Sequence, residues 1–253
     1  MVLKKSKDKE DLTVDTISNP SLTIMQSKQG YRFSLDPIIL ADFFIKSKFK
    51  AHNIVDLGTG TGIIPLLISS KTKKTKIVGI EIQETLYNLA KENVKLNSME
   101  KRIDIIKGDI KKIGKILPAE KFDAVMSNPP FREPKSGRLS NNAEKTIARH
   151  EILCTLKDIL KASFFLLKAG GALFMIFHPR RLGELFSELR KSRFEPKIVR
   201  FVHSNKDSDA VMVLIKAKKG GNPGLKVLKP LYVYEKEKTY SEEMKKIYGI
   251  ESI

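Results

Sequence analysis

The sequence lacks the features of an exported, disulfide-stabilised or membrane-embedded protein. It has one cysteine, Cys154, so neither a disulfide nor a cysteine-based zinc site can form within the chain. No stretch approaches the ~20 apolar residues that cross a bilayer, and residues 1–10 are charged, unlike a signal peptide. We therefore expect a cytoplasmic protein with no membrane partner, in which Cys154 is a small buried hydrophobe.

Acidic residues are scarce relative to basic ones. The chain carries 29 Asp and Glu against 47 Lys and Arg, a formal net charge of +18. Such a surface attracts polyanions and speeds their capture. A solvated, lysine-rich surface without any nucleic-acid role has the same composition. The charge by itself therefore favours nucleic-acid binding only slightly.

From residue 53 onwards, short apolar runs alternate with amphipathic segments. The pattern predicts strands at residues 53–57, 76–82, 103–107, 122–126, 172–177, 197–202 and 210–216. It predicts helices at residues 36–46, 63–70, 83–97, 147–167 and 180–191, with Asp36 as a candidate N-cap and glycines at 170–171 ending the fourth helix. The alternation indicates parallel strands with right-handed crossovers, whereas the last two strands are joined too closely to be parallel. The expected fold is α/β, a Rossmann-like, doubly wound, mostly parallel seven-stranded sheet with an antiparallel edge strand.

A glycine-rich turn follows the first of these strands, where residues 55–64 read Val-Asp-Leu-Gly-Thr-Gly-Thr-Gly-Ile-Ile. Gly58, Gly60 and Gly62 let the backbone turn tightly and approach a ligand closely. A Walker loop would need Gly-Lys-Ser/Thr, and the dinucleotide fingerprint would need a further glycine, so neither matches. The pattern is Asp-x-Gly-x-Gly-x-Gly, with Asp56 on the strand itself. The alternative is a glycine turn that only packs a helix.

This turn resembles that of class I S-adenosylmethionine methyltransferases. The resemblance implies that the glycines lie against the methionine moiety and that Asp56 holds its amino group, directly or through water. Glu81 ends the second strand, where a carboxylate can accept both ribose hydroxyls. The resemblance also implies that Asp109 meets the adenine amino group, with Ile82 and Ile110 against the ring faces. Either acid alone would fit a helix cap or a surface residue.

A second motif, Asn128-Pro-Pro-Phe131, follows the fourth strand of the alternating pattern. Its prolines fix φ and remove two backbone donors, so that carbonyls can project as acceptors. If Asn128 Oδ1 and the Pro129 carbonyl accept both hydrogens of a planar amino group, its lone pair is aimed at a methyl donor without a required general base. Pro130 would contact the substrate, and Phe131 can stack on a flipped-out base. The alternative is a rigid proline turn.

The motif resembles the Asp/Asn-Pro-Pro-aromatic signature of amino-methyltransferases, which act on adenine, cytosine, guanine or glutamine. Glutamine methyltransferases of the release-factor type typically carry tyrosine where this chain has Phe131. Aromatic stacking and the basic charge favour a nucleic-acid base. A protein glutamine methyltransferase, an rRNA or DNA amino-methyltransferase, and a nucleic-acid-binding module on a degenerate fold remain alternatives.

Two longer segments, residues 28–43 and the tail from Pro230, resemble bacterial tRNA adenine-N6 methyltransferases that act beside the anticodon of a valine tRNA. This resemblance favours tRNA as the partner. It implies that the first segment covers the cofactor, with Arg32, Phe33, Ser34 and Asp36 as the candidates for that role. The charged start and a turn-rich stretch from Lys218 predict three parts: a frayed start (residues 1–20), a methyltransferase domain (21–218) that includes the cofactor-covering segment, and an extension packed on it (219–253).

Basic residues follow the ends of two predicted strands and are candidate phosphate contacts. They are Arg132, Lys135, Arg138, Lys145 and Arg149 after the proline motif, and Arg180 and Arg181 after the fifth strand. Ordinary solvated charge explains any single one equally well. His150 and His178 have no partners at ligand spacing, so a capping or core role is expected and no metal is predicted. The oligomeric state is left open.

Overall fold

The computed structural model describes residues 12–17, 21–27, 34–129, 154–236 and 239–249. Its helices are α1 (Asp36–Lys46), α2 (Ile63–Lys71), α3 (Glu84–Leu96), α4 (Leu156–Leu166), α5 (Leu182–Lys191) and α6 (Glu242–Tyr248), with 3-10 turns at Ile110–Lys115 and Pro179–Arg181. Its strands are β1 (Leu12–Ile17), β2 (Leu22–Ser27), β3 (Asn53–Leu57), β4 (Lys76–Glu81), β5 (Ile103–Lys107), β6 (Phe122–Ser127), β7 (Leu167–Phe177), β8 (Phe194–His203), β9 (Ala210–Lys219), β10 (Lys226–Val227), β11 (Leu231–Tyr232), β12 (Tyr234–Lys236) and β13 (Thr239–Tyr240).

The central sheet runs in the order β10-β8-β9-β7-β6-β3-β4-β5, with β11 also paired to β8. Strands β3 to β7 are parallel, which confirms the predicted α/β, mostly parallel, doubly wound fold. Two details of the prediction are wrong. The sheet has nine strands, because the tail adds β10 and β11. The antiparallel strand β9 lies inside the sheet between β7 and β8, where its continuous run Val213-Leu-Ile is buried on both faces.

Two helical layers cover the sheet, and neighbouring strand residues point into different layers. Ile54 packs with α1, α2 and α3, whereas Val55 packs with α4 and α5. Phe174 of β7 is fully buried and is met edge-on by Phe44 of α1 at a centroid distance of 5.0 Å. This burial on both faces leaves the strand ends as the place where polar groups converge.

The start of the chain contributes more structure than the sequence predicts. Leu12–Ile17, within the segment expected to be frayed, pairs antiparallel with Leu22–Ser27, because Ile17, Leu22 and Ile24 bury their side chains in the core. Beyond residue 218, β10 and β11 pair with β8, and α6 packs against α1. The division of the chain into three parts stays a prediction.

Two element boundaries also differ from the prediction. Helix α1 begins at Asp36, so Leu35 is its N-cap, and the Ser34 hydroxyl accepts a hydrogen bond from the Asp36 N–H at 3.3 Å. The helix predicted to run to residue 167 ends at Leu166, and β7 continues through the glycines that were expected to separate the two elements. Pairing of β7 with β6 outweighs the local break, because the register shifts between the pairs Phe122–Leu167 and Ala124–Ala172. The left-handed Gly170 (φ +74°) is among the extra residues that β7 accommodates there. Among the described residues, no helix is long and apolar enough to cross a membrane.

Candidate functional site

A cavity of about 630 Å³ opens where the carboxyl ends of β3, β4, β5 and β6 meet. Ser34 and Asp36, two of the predicted cofactor-covering residues, line it. The structure brings together in the same wall eight further residues predicted from the sequence: Gly58, Gly60, Glu81, Ile82, Asp109, Ile110, Asn128 and Pro129. They come from the turns after four adjacent strands, which is where doubly wound sheets bind ligands. Gly62 and Asp56 do not line the cavity but lie directly behind its wall.

The two ends of the glycine loop differ in how closely other atoms approach them. Gly58, with φ +75°, has no atom within 4 Å of the position that a Cβ would occupy, so a ligand can approach its backbone. A Cβ on Gly62 (φ +81°) would lie 3.3 Å from the Ala90 Cβ of α3. The loop is therefore open at one end and packed against a helix at the other.

Glu81 is held rigidly at the end of β4. Only 4% of the residue is exposed, its Oε2 accepts a hydrogen bond from the Gly60 N–H at 2.9 Å, and its Oε1 accepts one from the Gln83 N–H at 2.9 Å. Each carboxylate oxygen has about two acceptor positions. The side chain is therefore fixed in orientation and keeps acceptor capacity for two hydroxyls of a ligand.

Asp56 is a buried acid without a hydrogen-bond partner for either carboxylate oxygen among the described residues. Burial raises the pKa of Asp56 to about 7; the nearby Thr59 hydroxyl opposes this shift and the Glu81 carboxylate adds to it. The hydroxyls of Thr59 and Thr61 are likewise buried and unpaired. An unpaired buried acid is costly unless it gains a partner. These unpaired polar atoms behind the glycine loop fit a ligand with a cationic amino group. Because Asp56 does not line the cavity, a water molecule would bridge its carboxylate to that amino group.

The far end of the cavity combines an acid with apolar side chains. One Asp109 oxygen accepts a hydrogen bond from the Lys111 N–H at 2.9 Å and caps the following 3-10 turn. Capping and ligand binding are compatible here, because the carboxylate has a second oxygen. Ile82 is 38% exposed, unusually for a residue beside a sheet core, and it lines the cavity together with Ile110. An acceptor beside apolar surfaces suits a flat ring that carries an amino group.

Asn128 and Pro129 belong to the wall of the same cavity. They follow β6, which the Ser127 hydroxyl ties to β3 by donating to the Leu57 carbonyl at 3.1 Å. Both line the cavity and are half-buried. Nine other residues predicted to bind cofactor or substrate lie outside the described residues: Arg32, Phe33, Pro130, Phe131, Arg132, Lys135, Arg138, Lys145 and Arg149. Their roles stay predictions.

The structure separates the two arginines that follow β7. Arg181 donates to both carboxylate oxygens of Glu184, at 2.7 and 2.8 Å, which lowers the pKa of Glu184. Its guanidinium also lies over the Phe177 ring, 5.4 Å from the centroid. Arg180 is exposed and lines an adjoining cavity with Ser208 and Asp209. Arg180 is thus the better placed of the two to meet a phosphate.

Sequence reasoning missed part of the cavity wall. The Nδ1 of His178 accepts a hydrogen bond from the Arg180 N–H at 3.3 Å, which confirms the expected capping role. His178 also lines both cavities, which was not predicted. Its place directly after β7 was a usable signal. Ser204 and Met212 reach the wall only because β9 inserts into the sheet. Cys154 also lines the cavity, and burial raises its pKa to about 12, which disfavours a nucleophilic thiolate.

No group of three or more His, Cys, Asp or Glu side chains that could hold a metal occurs in the parts of the chain that the structure describes. The Glu81, Asp109 and Asn128 side chains of the cavity each lie at the end of a different strand. Such spacing fits an extended organic ligand.

Comparison with known proteins places the chain among methyltransferases. Residues 38–190 match the family model described as methyltransferase small domain. A tRNA1(Val) (adenine(37)-N6)-methyltransferase of Porphyromonas gingivalis W83 is 32% identical over 178 residues, 69% of each chain. One of Bacteroides thetaiotaomicron is 31% identical over 150 residues, 59% of this chain and 60% of the relative. Alignments with other relatives of this name cover from 47% of the relative, for that of Glaesserella parasuis, to 76%, for that of Dyadobacter fermentans.

Solved structures share the fold at low sequence identity. A predicted O-methyltransferase of Agrobacterium tumefaciens superimposes with a TM-score of 0.68 at 21% identity, covering 85% of this chain and 95% of that one. A T. thermophilus 16S rRNA N2 methyltransferase, solved with AdoMet and guanosine, gives a TM-score of 0.58 at 15% identity over 82% of this chain and 50% of that one. These similarities establish the architecture alone.

Proposed function

The chain belongs to the methyltransferase small-domain family, and we propose that this S-adenosylmethionine-dependent enzyme methylates the N6 amino group of an adenine in tRNA. One observation carries the proposal. Asn128 and Pro129 line the same cavity as the glycine loop and Glu81, so an amino-group acceptor lies beside a cofactor site. The P. gingivalis and B. thetaiotaomicron relatives, named for adenine-N6 methylation of tRNA, favour the same reaction.

The lining of the cofactor half supports S-adenosylmethionine as its ligand, with a candidate group for each part of the molecule. The glycine loop and Asp56 would hold the methionine moiety, Glu81 the ribose hydroxyls, and Asp109 the adenine amino group. Ile82 and Ile110 would cover the ring faces. Bound here, the cofactor supplies an electrophilic methyl group on a sulfonium. The outer face of the site would be covered by the segment that contains Arg32 and Phe33.

The protein's part in methyl transfer is to orient and polarise the target nitrogen. The lone pair of an exocyclic amino group is delocalised into its ring, which makes the nitrogen a poor nucleophile. Hydrogen bonds accepted by Asn128 Oδ1 and by the Pro129 carbonyl would return electron density to this nitrogen and fix its direction. Phe131 would stack on the extruded base, and Pro130 would shape the turn.

The choice of tRNA rests on charge and on the relatives. A net charge of +18 suits a polyanion, and Arg180 with the second cavity offers a path for the backbone away from the target base. Arg132, Lys135 and Arg138 would add phosphate contacts, and Arg181 would steady the turn that presents Arg180. By similarity to the relatives, the target is adenine 37 of a valine tRNA.

Methyl transfer from labelled S-adenosylmethionine tests this proposal. The substrates are an unmodified valine tRNA transcript, the same transcript with guanosine in place of adenosine 37, and a purified release factor. We expect label only in the first. Label in the substituted tRNA would move the target site, and label in the release factor alone would replace the proposal with glutamine methylation.

A further inference from the structure

Helix α3 carries two asparagines one turn apart, and both hold the backbone of β2. Asn97 Oδ1 accepts from the Thr23 N–H at 3.0 Å and its Nδ2 donates to the Thr23 carbonyl at 2.8 Å. Asn93 Oδ1 accepts from the Met25 N–H at 2.7 Å and its Nδ2 donates to the Met25 carbonyl at 3.1 Å. A side-chain amide offers the same donor and acceptor as a peptide group. The two side chains therefore pair with β2 as a neighbouring strand would.

Asn93 makes one contact that Asn97 lacks. Its Nδ2 also donates to the Thr61 carbonyl at 3.0 Å, and the Asn93 side chain is completely buried. Thr61 belongs to the glycine loop and lines the cofactor cavity. The additional bond of Asn97 instead goes to the Asn93 carbonyl, within the same helix, at 2.8 Å. Asn93 alone of this pair joins the hairpin to the cofactor loop.

The loop has little freedom to move apart from this helix. Ala90, on the turn of α3 before Asn93, lies against Gly62, where an added Cβ would be 3.3 Å from the Ala90 Cβ. The hydroxyl of Thr61 is buried without a partner, which fits a loop shaped for a ligand rather than for its own hydrogen bonds. A change in the Gly60–Thr61 backbone on ligand binding would therefore be felt by Asn93.

The hairpin precedes one wall of the cofactor cavity in the chain. Strand β2 ends at Ser27, and Ser34, Asp36 and Pro37, seven or more residues later, line the cavity. The hairpin and this part of the cavity wall are therefore close in the chain, and Asn93 adds a direct hydrogen-bonded link from the hairpin to the cofactor loop.

We propose that Asn93 is a positioning residue that couples the cofactor loop to the β1–β2 hairpin. Cofactor binding then stabilises the docked hairpin, and the docked hairpin strengthens cofactor binding, since such coupling is reciprocal. This inference concerns cofactor binding only and does not depend on which RNA is methylated.

Asn97 provides a matched control, since it holds the same strand without touching the loop. We compare full-length Asn93→Ser and Asn97→Ser with the wild type by calorimetry with S-adenosylmethionine, by steady-state kinetics and by hydrogen exchange of the β2 amides. Both variants should speed exchange at Thr23 and Met25. Only Asn93→Ser should raise the cofactor Kd and KM, by about tenfold, the effect of one lost buried hydrogen bond, with kcat at saturating cofactor within about twofold of wild type.

The wild-type protein supplies a test that needs no variant. Saturating S-adenosylmethionine should slow exchange of the Met25 amide in the wild type and in Asn97→Ser, and leave it unchanged in Asn93→Ser. Unchanged exchange in the wild type would overturn the coupling, even if Asn93→Ser does not fold. Equal loss of cofactor affinity in both variants would also overturn it, because Asn93 would then act only through general stability.

Discussion

The two halves of the cavity are built in different ways. In the cofactor half, Glu81 is locked by two backbone N–H groups, and the glycine loop packs on α3. In the acceptor half, Asn128 and Pro129 stand at the end of a single strand that a Ser127 hydrogen bond ties to β3. The cofactor half is therefore held by contacts from several elements of the fold. The acceptor half consists of two residues at the end of one strand. Substitutions in the acceptor half should act on rate, and those in the cofactor half on affinity.

The largest effect is expected from Asn128→Ala. Losing one of two acceptors on the target nitrogen should lower kcat by about 10²- to 10³-fold, as the removal of one preorganised hydrogen bond does elsewhere. Cofactor affinity by calorimetry should stay within a few fold of wild type. A variant that turns over normally, or one that loses cofactor binding instead, would break the division between the two halves.

A weaker effect, on affinity, is expected from Glu81→Gln. The amide keeps one acceptor oxygen but places an NH₂ against a backbone N–H, which leaves donors facing each other. The cofactor KM should rise about 10- to 100-fold. Glu84→Gln is the control, since Glu84 is exposed and pairs with Lys107 outside the cavity. If both variants bind the cofactor equally, Glu81 has no role in binding.

The pH dependence of cofactor binding tests Asp56. Because the pKa of Asp56 is raised to about 7, the carboxyl is largely protonated below pH 7 and charged above it. A cationic amino group favours the charged form, so affinity should rise from pH 5.5 to 7.5, by at most about tenfold per unit. Binding below pH 7 should release a proton. Asp56→Asn should bind more weakly at pH 7.5 and show a flat profile, and a wild-type profile that is already flat would contradict this role.

The smallest effect is expected from Arg180, which lines the second cavity. Arg180→Ala should raise the KM for tRNA a few fold and reduce its salt dependence by about one phosphate contact, with kcat unchanged. Arg190→Ala removes an equally basic, exposed side chain at the other end of α5 and should change neither. Equal effects of the two variants would mean that overall charge, rather than the second cavity, attracts the RNA.

Site residues that depend on local spacing could be predicted from the sequence, whereas those that depend on long-range contacts could not. Local spacing was enough for Gly58, Glu81 and Asp109, because each closes a predicted strand and parallel strands end at one edge of a sheet. Asn93 was not foreseen, since its partners Met25 and Thr61 lie 68 and 32 residues away in the chain. The same holds for β9, whose apolar run is compatible with an edge or an interior position until its neighbours are known.

The tail shows a further limit of local patterns. The apolar pattern of residues 225–234 is compatible with one edge strand, whereas the structure has two short strands, Lys226–Val227 and Leu231–Tyr232, with a Lys-Pro step between them. Proline lacks the N–H that a continuous ladder would need. The Lys-Pro step can be read from the sequence, but the pairing of both short strands with β8 cannot.

If the enzyme methylates adenine N6 in tRNA, nucleoside mass spectrometry of tRNA from cells with and without the gene should reveal the missing modification. N6-methyladenosine should disappear from one position of valine tRNA and return with the wild-type gene but not with Asn128→Ala. An unchanged content of N6-methyladenosine in tRNA from cells lacking the gene would contradict it.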